Sequence, residues 1–490
     1  MVKGVDYYDT LGVSRDATVE EIRSAYFEAA KRLHPDVNPT TAANEAFLLV
    51  QEAYDLLINP QKRAAYDATL PQSPLSSSVT INFKYSRSII PNLGEQQLMY
   101  VLMDIICTAI TDELNIPPVH VCLVIDRSTS MTGDRMDMVK ANVARLIQNL
   151  KPKDLISVVT FSDRATVIIP PTTVQDKKRI EHEVNLISTD GGTELLQGLA
   201  AGVSQLRFSK EMKAVSELIL LTDGHTYGDE EACLDLAKQA SQEGMTICAL
   251  GIGNEWNDAF LDKMTSLCGG NTVFAATPED LSRYMQHKLE SLEKIFAKGV
   301  NLTFECDEWV QPRFIFRLNP EISPLPLTSP LNLGNLQFGR SISVLFEFLV
   351  RKLPFSMNKL NLATGKLEME VHNQGSVLQY LEFRRKVMAD PEPEVPPGAI
   401  LEAMSRLTLY RLQEKARLEV SQGEISRASK HLQYLATHLL SNGKRELAHT
   451  VLVEAEHIRQ SQRFSADGEK QIKYGTRALL LPPGQEYKER

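Results

Sequence analysis

Three rhythms of hydrophobic and polar positions follow one another along this chain. From Glu20 to Leu33 the apolar residues Ile22, Ala25, Ala29 and Leu33 recur at steps of three and four, and Phe47, Val50, Tyr54 and Leu57 do the same. These are helical spacings. His34-Pro35-Asp36 lies between the two segments, and Pro35 forbids a smooth continuation of helix. The pattern predicts an antiparallel helix pair joined by a loop, with a short helix after Pro60, all within residues 1–70.

Between residues 117 and 297 short apolar runs alternate with amphipathic segments. The predicted strands are Val119–Ile125, Leu155–Phe161, Ala165–Ile169, Leu218–Leu221, Thr246–Ile252 and Thr272–Ala275; Met136–Leu150 and Glu230–Glu243 read as helices. Such alternation gives a doubly wound, Rossmann-like α/β fold with a mostly parallel sheet, whose ligands bind at the carboxyl ends of the strands.

The flanks change to period two. Val79, Ile81, Phe83 and Tyr85 alternate with polar residues, as do Val300, Leu302, Phe304 and Cys306. Phe314–Leu318, Ser341–Val350, Leu360–His372 and Leu378–Phe383 also read as strands. The expectation is one β-sandwich built from 79–116 and 298–388, with the α/β domain inserted into it; two separate small β units are the alternative. Residues 398–465 return to helical spacing. Ile425, Ala428, Leu432, Leu435 and Leu439 form one stripe, Leu447, Val451, Ala455 and Ile458 another, with Asn442-Gly443 as the turn. With Leu401–Val420 they predict a three-helix bundle, followed by a tail over 466–490 in which Leu479–Pro483 docks as an extended piece. Pro- and Ser-rich 71–78 and Pro-rich, acidic 389–397 read as linkers.

Composition adds exclusions. Hydrophobic residues are 43% and charged residues 23%, ordinary globular values that leave no room for a wholly disordered, collagen-like or coiled-coil chain. With 53 Lys/Arg against 62 Asp/Glu the net charge is −9, which argues against a nucleic-acid partner. The apolar stretch Leu98–Ile110 is broken by Asp104 and too short for a membrane span. The start shows no secretory pattern, and the six cysteines show no CxxC spacing. A cytoplasmic protein with reduced, core-packed cysteines is expected.

The tripeptide at residues 34–36 has a rich context. Tyr7-Tyr8-Asp9-Thr10-Leu11-Gly12-Val13 and Ala25-Tyr26 precede it; Asn38-Pro39, Glu52-Ala53-Tyr54-Asp55-Leu56-Leu57, Asn59-Pro60 and Lys62-Arg63-Ala64-Ala65-Tyr66-Asp67 follow. Over residues 5–67 this run resembles the J domain of DnaJ-type co-chaperones. The resemblance implies a non-catalytic role: the second helix, with Lys31 and Arg32, and the loop His34, Pro35 and Asp36 dock on a DnaK-type chaperone and stimulate its ATP hydrolysis. One departure stands out. Family second helices are strongly basic, whereas this one also carries Glu20, Glu21 and Glu28. Attraction to an acidic chaperone groove is therefore expected to be weaker.

A second constellation sits in the α/β domain. Strand Val119–Ile125 runs into Asp126-Arg127-Ser128-Thr129-Ser130; Gly191-Gly192-Thr193 offers another hydroxyl; Asp223 ends the strand before it. Oxygen donors of this kind suit a hard cation such as Mg²⁺. Capping of the following helix by Asp126 and the serines is the plainer reading. With Met131-Thr132-Gly133-Asp134-Arg135-Met136 the set resembles the metal-ion-dependent adhesion site (MIDAS) of von Willebrand factor A domains. That resemblance implies Asp126, Ser128, Ser130, Thr193 and Asp223 as ligands of Mg²⁺ or Mn²⁺, completed by an acidic side chain of a partner. No P-loop is present, and Gly251-Ile252-Gly253 lacks the third glycine of a dinucleotide fingerprint. His225 reads as a loop histidine, His431, His438, His449 and His457 as solvated helix positions, and Glu392 and Glu394 as solvated linker.

These readings converge on a non-enzymatic co-chaperone or adaptor that captures a protein through a cation and delivers it to a DnaK-type chaperone. The alternative is a metal-dependent scaffold for signalling or complex assembly whose J-like domain only docks. Metal-assisted hydrolysis at Asp126 and Asp223 lacks an evident general base.

Overall fold

The computed structural model describes residues 7–11, 13, 17–33, 41–69, 78–109, 117–208, 214–224, 228–253, 255–275, 277–292, 294–320, 322–372 and 375–478. The chain divides into two units, Met1–Pro74 and Leu75–Arg490.

The first unit is helical: α1 (Tyr7–Leu11), α2 (Val19–Leu33), α3 (Thr41–Leu57) and α4 (Pro60–Thr69). A capping box opens α2. Thr18 Oγ1 accepts from the Glu21 amide at 3.3 Å, and Glu21 Oε2 accepts from the Thr18 amide at 2.8 Å. Asn59 Oδ1 caps α4 by accepting from the amides of Gln61 and Lys62. Tyr8, Ile22, Val50, Ala53 and Leu57 are buried together, and Tyr26 of α2 stacks on Tyr54 of α3 at 4.1 Å. The predicted helix pair is therefore present. Arg63 ties α4 back, donating from Nε to the Tyr8 hydroxyl and from Nη1 to the Ala17 carbonyl, each at 2.8 Å.

The second unit begins with β1 (Val79–Tyr85), β2 (Ile89–Pro91) and β3 (Gln97–Cys107). The α/β region follows: β4 (Val119–Asp126), α5 (Asp134–Asn149), β5 (Leu155–Phe161), β6 (Ala165–Thr173), α6 (Lys177–Asn185), α7 (Leu195–Arg207), β7 (Val215–Thr222), α8 (Glu230–Gln242), β8 (Thr246–Ile252), α9 (Asp258–Leu267), β9 (Thr272–Ala275) and α10 (Pro278–Leu292). Its sheet has the order β6-β5-β4-β7-β8-β9, parallel except for the edge strand β6. Along β4, Val121, Leu123 and Ile125 face α5 and α10, while Cys122 and Val124 face α7 and α8. Both faces are covered, so every residue of β4 and β7 is buried.

The chain then completes the β layers with β10 (Ile295–Cys306), β11 (Val310–Asn319), β12 (Ser323–Pro324), β13 (Leu331–Asn332), β14 (Leu336–Gln337), β15 (Ser341–Val350), β16 (Lys359–Val371) and β17 (Gly375–Met388). One sheet runs β1-β3-β15-β11-β12, the other β13-β10-β16-β17-β2, with β14 on β10. Their inner faces share one core, in which Phe346 meets Phe383 edge-on at 5.7 Å. This is the sandwich with an inserted α/β domain, not two separate β units. Arg317 of β11 joins the layers. It is fully buried and donates to the carbonyls of Gly269 (2.6 Å), Gly270 (2.7 Å) and Leu333 (3.0 Å).

Among the described residues the C-terminal part contains four helices, α11 (Gly398–Ser421), α12 (Ile425–Ser441), α13 (Arg445–Ser461) and α14 (Ala466–Ala478). This corrects the three-helix expectation: the first thirteen residues of the expected tail form a helix. Ile472 of α14 enters the bundle core with Leu432, Leu435, Val451 and Ile458. α14 shows no clear apolar stripe because much of what it buries is charged: Lys470, Lys473 and Arg477 are all buried. Leu479–Pro483 lies outside the described residues. Two smaller expectations are also refined. Glu394 stays exposed, as expected of the linker, but also accepts from the Ser88 amide at 2.7 Å, and His431 pairs with Glu419 at 2.6 Å instead of facing solvent.

His120 on β4 gives a pH test. Its ring is buried, with Nε2 2.8 Å from the Ser157 hydroxyl, and burial pushes its pKa down from 6.5 to about 4. The unfolded state therefore takes up this proton first as pH falls. The contribution to stability is intact above pH 6.5 and is lost between there and about pH 4. The loss amounts to about 3 kcal/mol. Denaturant titrations at pH 7 and pH 4.5 should show a smaller pH difference for His120→Leu than for the parent; an equal difference would contradict this assignment.

Candidate metal centre

The oxygen cluster is built by three loops at the carboxyl edge of the α/β sheet. β4 ends on Asp126, and the Arg127 amide still bonds the Phe161 carbonyl at 2.8 Å, which fixes the exit direction. Ser128 turns back, its amide donating to Asp126 Oδ1 at 2.9 Å. A single 3₁₀ turn, Thr129–Met131, follows; Met131 is fully buried and anchors it. The second loop is stitched to the first: the Thr129 amide donates to the Gly191 carbonyl at 3.1 Å, and the Asp190 amide to the Arg127 carbonyl at 2.7 Å. The third loop leaves β7, where Thr222 Oγ1 donates to Asp126 Oδ2 at 2.7 Å and accepts from the Gly224 amide at 3.2 Å.

The side chains converge. Ser128 and Ser130 hydroxyls are 3.0 Å apart, and Ser130 Oγ donates to Asp223 Oδ1 at 2.7 Å. A β-carbon built on Gly224 would sit 3.2 Å from Thr193 Oγ1, so the Thr193 hydroxyl borders the Asp223-Gly224 turn. Asp126 and Asp223 are both fully buried. Burial raises the Asp126 carboxyl, the bonds from Thr222 and Ser128 oppose that rise, and the charge of Asp223 adds to it. Thus all five expected donors lie in one neighbourhood.

Two participants were absent from the sequence-based set. Thr222 orients Asp126 and immediately precedes Asp223. Arg135 pairs with Asp223 through Nη1 and Oδ2, and also donates to the Ser130 carbonyl at 3.2 Å. The sequence signal for Arg135 was its place in the Met131–Met136 run that follows the serines.

The donor chemistry fits a hard cation. Two buried carboxylates and three hydroxyls offer oxygen alone, which suits Mg²⁺ or Mn²⁺ better than a thiophilic metal. Among the described residues no group of three or more His, Cys, Asp or Glu could hold a metal, so the hydroxyls are essential to the set. His225 lies outside the described residues. So do His34, Pro35 and Asp36, between α2 and α3. Lys31 on α2 is exposed; the Arg32 side chain lies outside the described residues.

Comparison with known proteins agrees with the domain types. The family model of the DnaJ domain matches residues 6–67, that of the von Willebrand factor type A domain matches 120–295, and that of the Sll0103-like C-terminal alpha-helical domain matches 398–482. The protein sll0103 of Synechocystis sp. is 24% identical over 380 residues, 75% of this chain and 89% of its own. YfbK of Escherichia coli is 22% identical across 69% of this chain and 60% of its own. The chaperone protein DnaJ of Leifsonia xyli is 56% identical over 62 residues, which is 13% of this chain and 17% of that one. Among solved structures, the von Willebrand factor type A protein from Catenulispora acidiphila matches with a TM-score of 0.64 at 16% identity, covering 82% of this chain and 96% of its own. The ArnB paralog VWA2 from Sulfolobus acidocaldarius matches with a TM-score of 0.56 at 16% identity, covering 82% and 98%. These two likenesses extend the fold assignment beyond the A domain to the sandwich and helices.

Proposed function

We propose that this chain, in which a J domain is joined to a von Willebrand factor A domain, is a non-enzymatic co-chaperone adaptor. The A domain captures a client protein through a Mg²⁺ or Mn²⁺ ion held by Asp126, Ser128, Ser130, Thr193 and Asp223. The J domain brings that client to a DnaK-type chaperone. The observation that carries this reading is the meeting of those five donors at one sheet edge. A bound cation would offer an open coordination position to a carboxylate of the client. The protein would supply the fixed oxygens, with Thr222 and the Ser128 amide orienting Asp126. Tethering both modules in one chain raises the effective concentration of client at the chaperone.

The test is affinity capture with the intact chain as bait, in Mg²⁺ and in EDTA. A client retained in Mg²⁺ and released by EDTA supports the reading; an identical set of retained proteins in both would refute it. No described helix is long and apolar enough to cross a membrane. A second reading, a metal-dependent scaffold whose J domain only docks, draws on the exposed glutamates Glu20, Glu21 and Glu28 of α2. Single-turnover ATP hydrolysis by the cognate chaperone separates the two, because docking without stimulation favours the scaffold.

A further inference from the structure

Asp126 and Asp223 face the same site but are satisfied differently. Both oxygens of Asp126 accept from neutral donors, the Ser128 amide and the Thr222 hydroxyl. Asp223 takes a neutral donor, Ser130 Oγ, on Oδ1 and a guanidinium on Oδ2. Among the described residues, Arg135 is the one cationic side chain paired with either carboxylate. It also bonds the Ser130 carbonyl, so one side chain holds two of the five donor residues.

The guanidinium is backed from behind. Gly253, at φ +66°, lies against it: a β-carbon there would come within 3.2 Å of Arg135 Nη2 and 3.4 Å of Cζ. The Gly253 carbonyl accepts from Trp256 Nε1 at 2.7 Å, and the Trp256 carbonyl accepts from Lys470 Nζ of α14 at 2.7 Å. Tyr474 of α14 packs on the Trp256 ring with centroids 5.7 Å apart. The loop behind Arg135 is thus held by the last described helix, and the guanidinium is placed on Asp223 by packing as well as by charge.

We propose that Arg135 is a tethered competitor of the divalent cation. It neutralises Asp223 when the ion is away and raises the cation concentration needed to fill the site. The inference rests on the metal-dependent reading above. The physical basis is that a fixed positive charge beside a buried carboxylate lowers the site's attraction for any second cation. A merely structural arginine would have the opposite signature, since removing it would loosen the loops and weaken metal binding.

The experiment is calorimetric titration of Mn²⁺ into the EDTA-stripped full chain, comparing the parent with Arg135→Gln, Arg135→Lys and Asp126→Ala. Melting temperatures are measured in parallel in Mn²⁺ and in EDTA. Arg135→Gln should bind Mn²⁺ about tenfold more tightly than the parent, a difference of about 1.4 kcal/mol. Its melting temperature should fall in EDTA and recover in Mn²⁺, giving a larger metal-induced shift than the parent shows. Arg135→Lys, which keeps the charge, should stay near the parent. Equal or weaker binding by Arg135→Gln, or a melting temperature lowered by the same margin with and without Mn²⁺, would overturn the proposal while leaving the metal site standing. If neither the parent nor Arg135→Gln responds to Mn²⁺ at all, both the metal-dependent reading and this proposal fall.

Discussion

Asp126→Ala will abolish Mg²⁺-dependent client capture and leave stimulation of the chaperone's ATPase at the parent level, whereas His34→Gln will do the reverse. The expected loss of cation affinity for Asp126→Ala is about 100-fold or more, since even residues that only orient metal ligands contribute 10–100-fold. The loss should be specific because Asp126 belongs to the second unit and His34 to the first. Asp126 is buried, so the alanine also strands the Ser128 amide and the Thr222 hydroxyl, at about 1–3 kcal/mol per unsatisfied donor. Ser130→Ala is the milder companion: it removes a proposed ligand at an exposed position and takes one bond from Asp223 Oδ1, at about 1–3 kcal/mol, where Asp126→Ala strands two donors. Pull-down in Mg²⁺ and single-turnover ATP hydrolysis report the two arms. If both variants leave their own assay unchanged, the two-surface description fails.

The second large effect lies where the C-terminal helix meets the α/β domain. Arg477 reaches Asp262 with two parallel bonds of 2.8 and 2.7 Å, and Lys473 contacts both Asp258 and Asp262. Arg417 of α11 adds a 3.2 Å contact to Asp258. The Arg477 and Lys473 side chains are only 6% and 3% exposed. Asp262→Ala leaves that guanidinium buried without its carboxylate, which costs about 3–5 kcal/mol. Denaturant titration of the full chain measures it, and a change under about 1 kcal/mol would contradict the geometry. The pH dependence has a defined sign. Burial alone would raise the Asp262 pKa, but Arg477 and Lys473 outweigh it and hold the group at about 2. This contribution is present above the unfolded carboxylate range near pH 4 and is lost as pH falls through about 2.

Much of this was legible in the chain because apolar periodicity carried it. β5, β8, β9 and β15 begin and end where the spacing placed them, the first three as apolar runs bounded by polar or turn residues and β15 as an alternating one. The five oxygen donors were legible because a strand end is a fixed place: once β4 and β7 are parallel neighbours, Asp126 and Asp223 must leave at the same edge. Where burial is charged, the pattern went silent. Lys473 and Arg477 lie in the stretch expected to be a tail, yet their partners Asp258 and Asp262 sit more than 200 residues earlier. Arg135 was hidden for the same reason, as its carboxylate lies just past β7, 88 residues further on.

Strand β3 finds its neighbour β15 only across the whole inserted domain, with Ser343 Oγ bonding Asp104 Oδ1 over 239 residues of chain. At ribosomal speeds of roughly 5–20 residues per second, β3 waits on the order of 10–50 s for that strand to emerge. During this interval Val101, Met103 and Ile105 are synthesised but uncovered. The α/β domain has all its own strands by then and can fold first, so closure of the sandwich is the late event of biogenesis. The J domain, translated before any of these strands, is finished while they are still waiting.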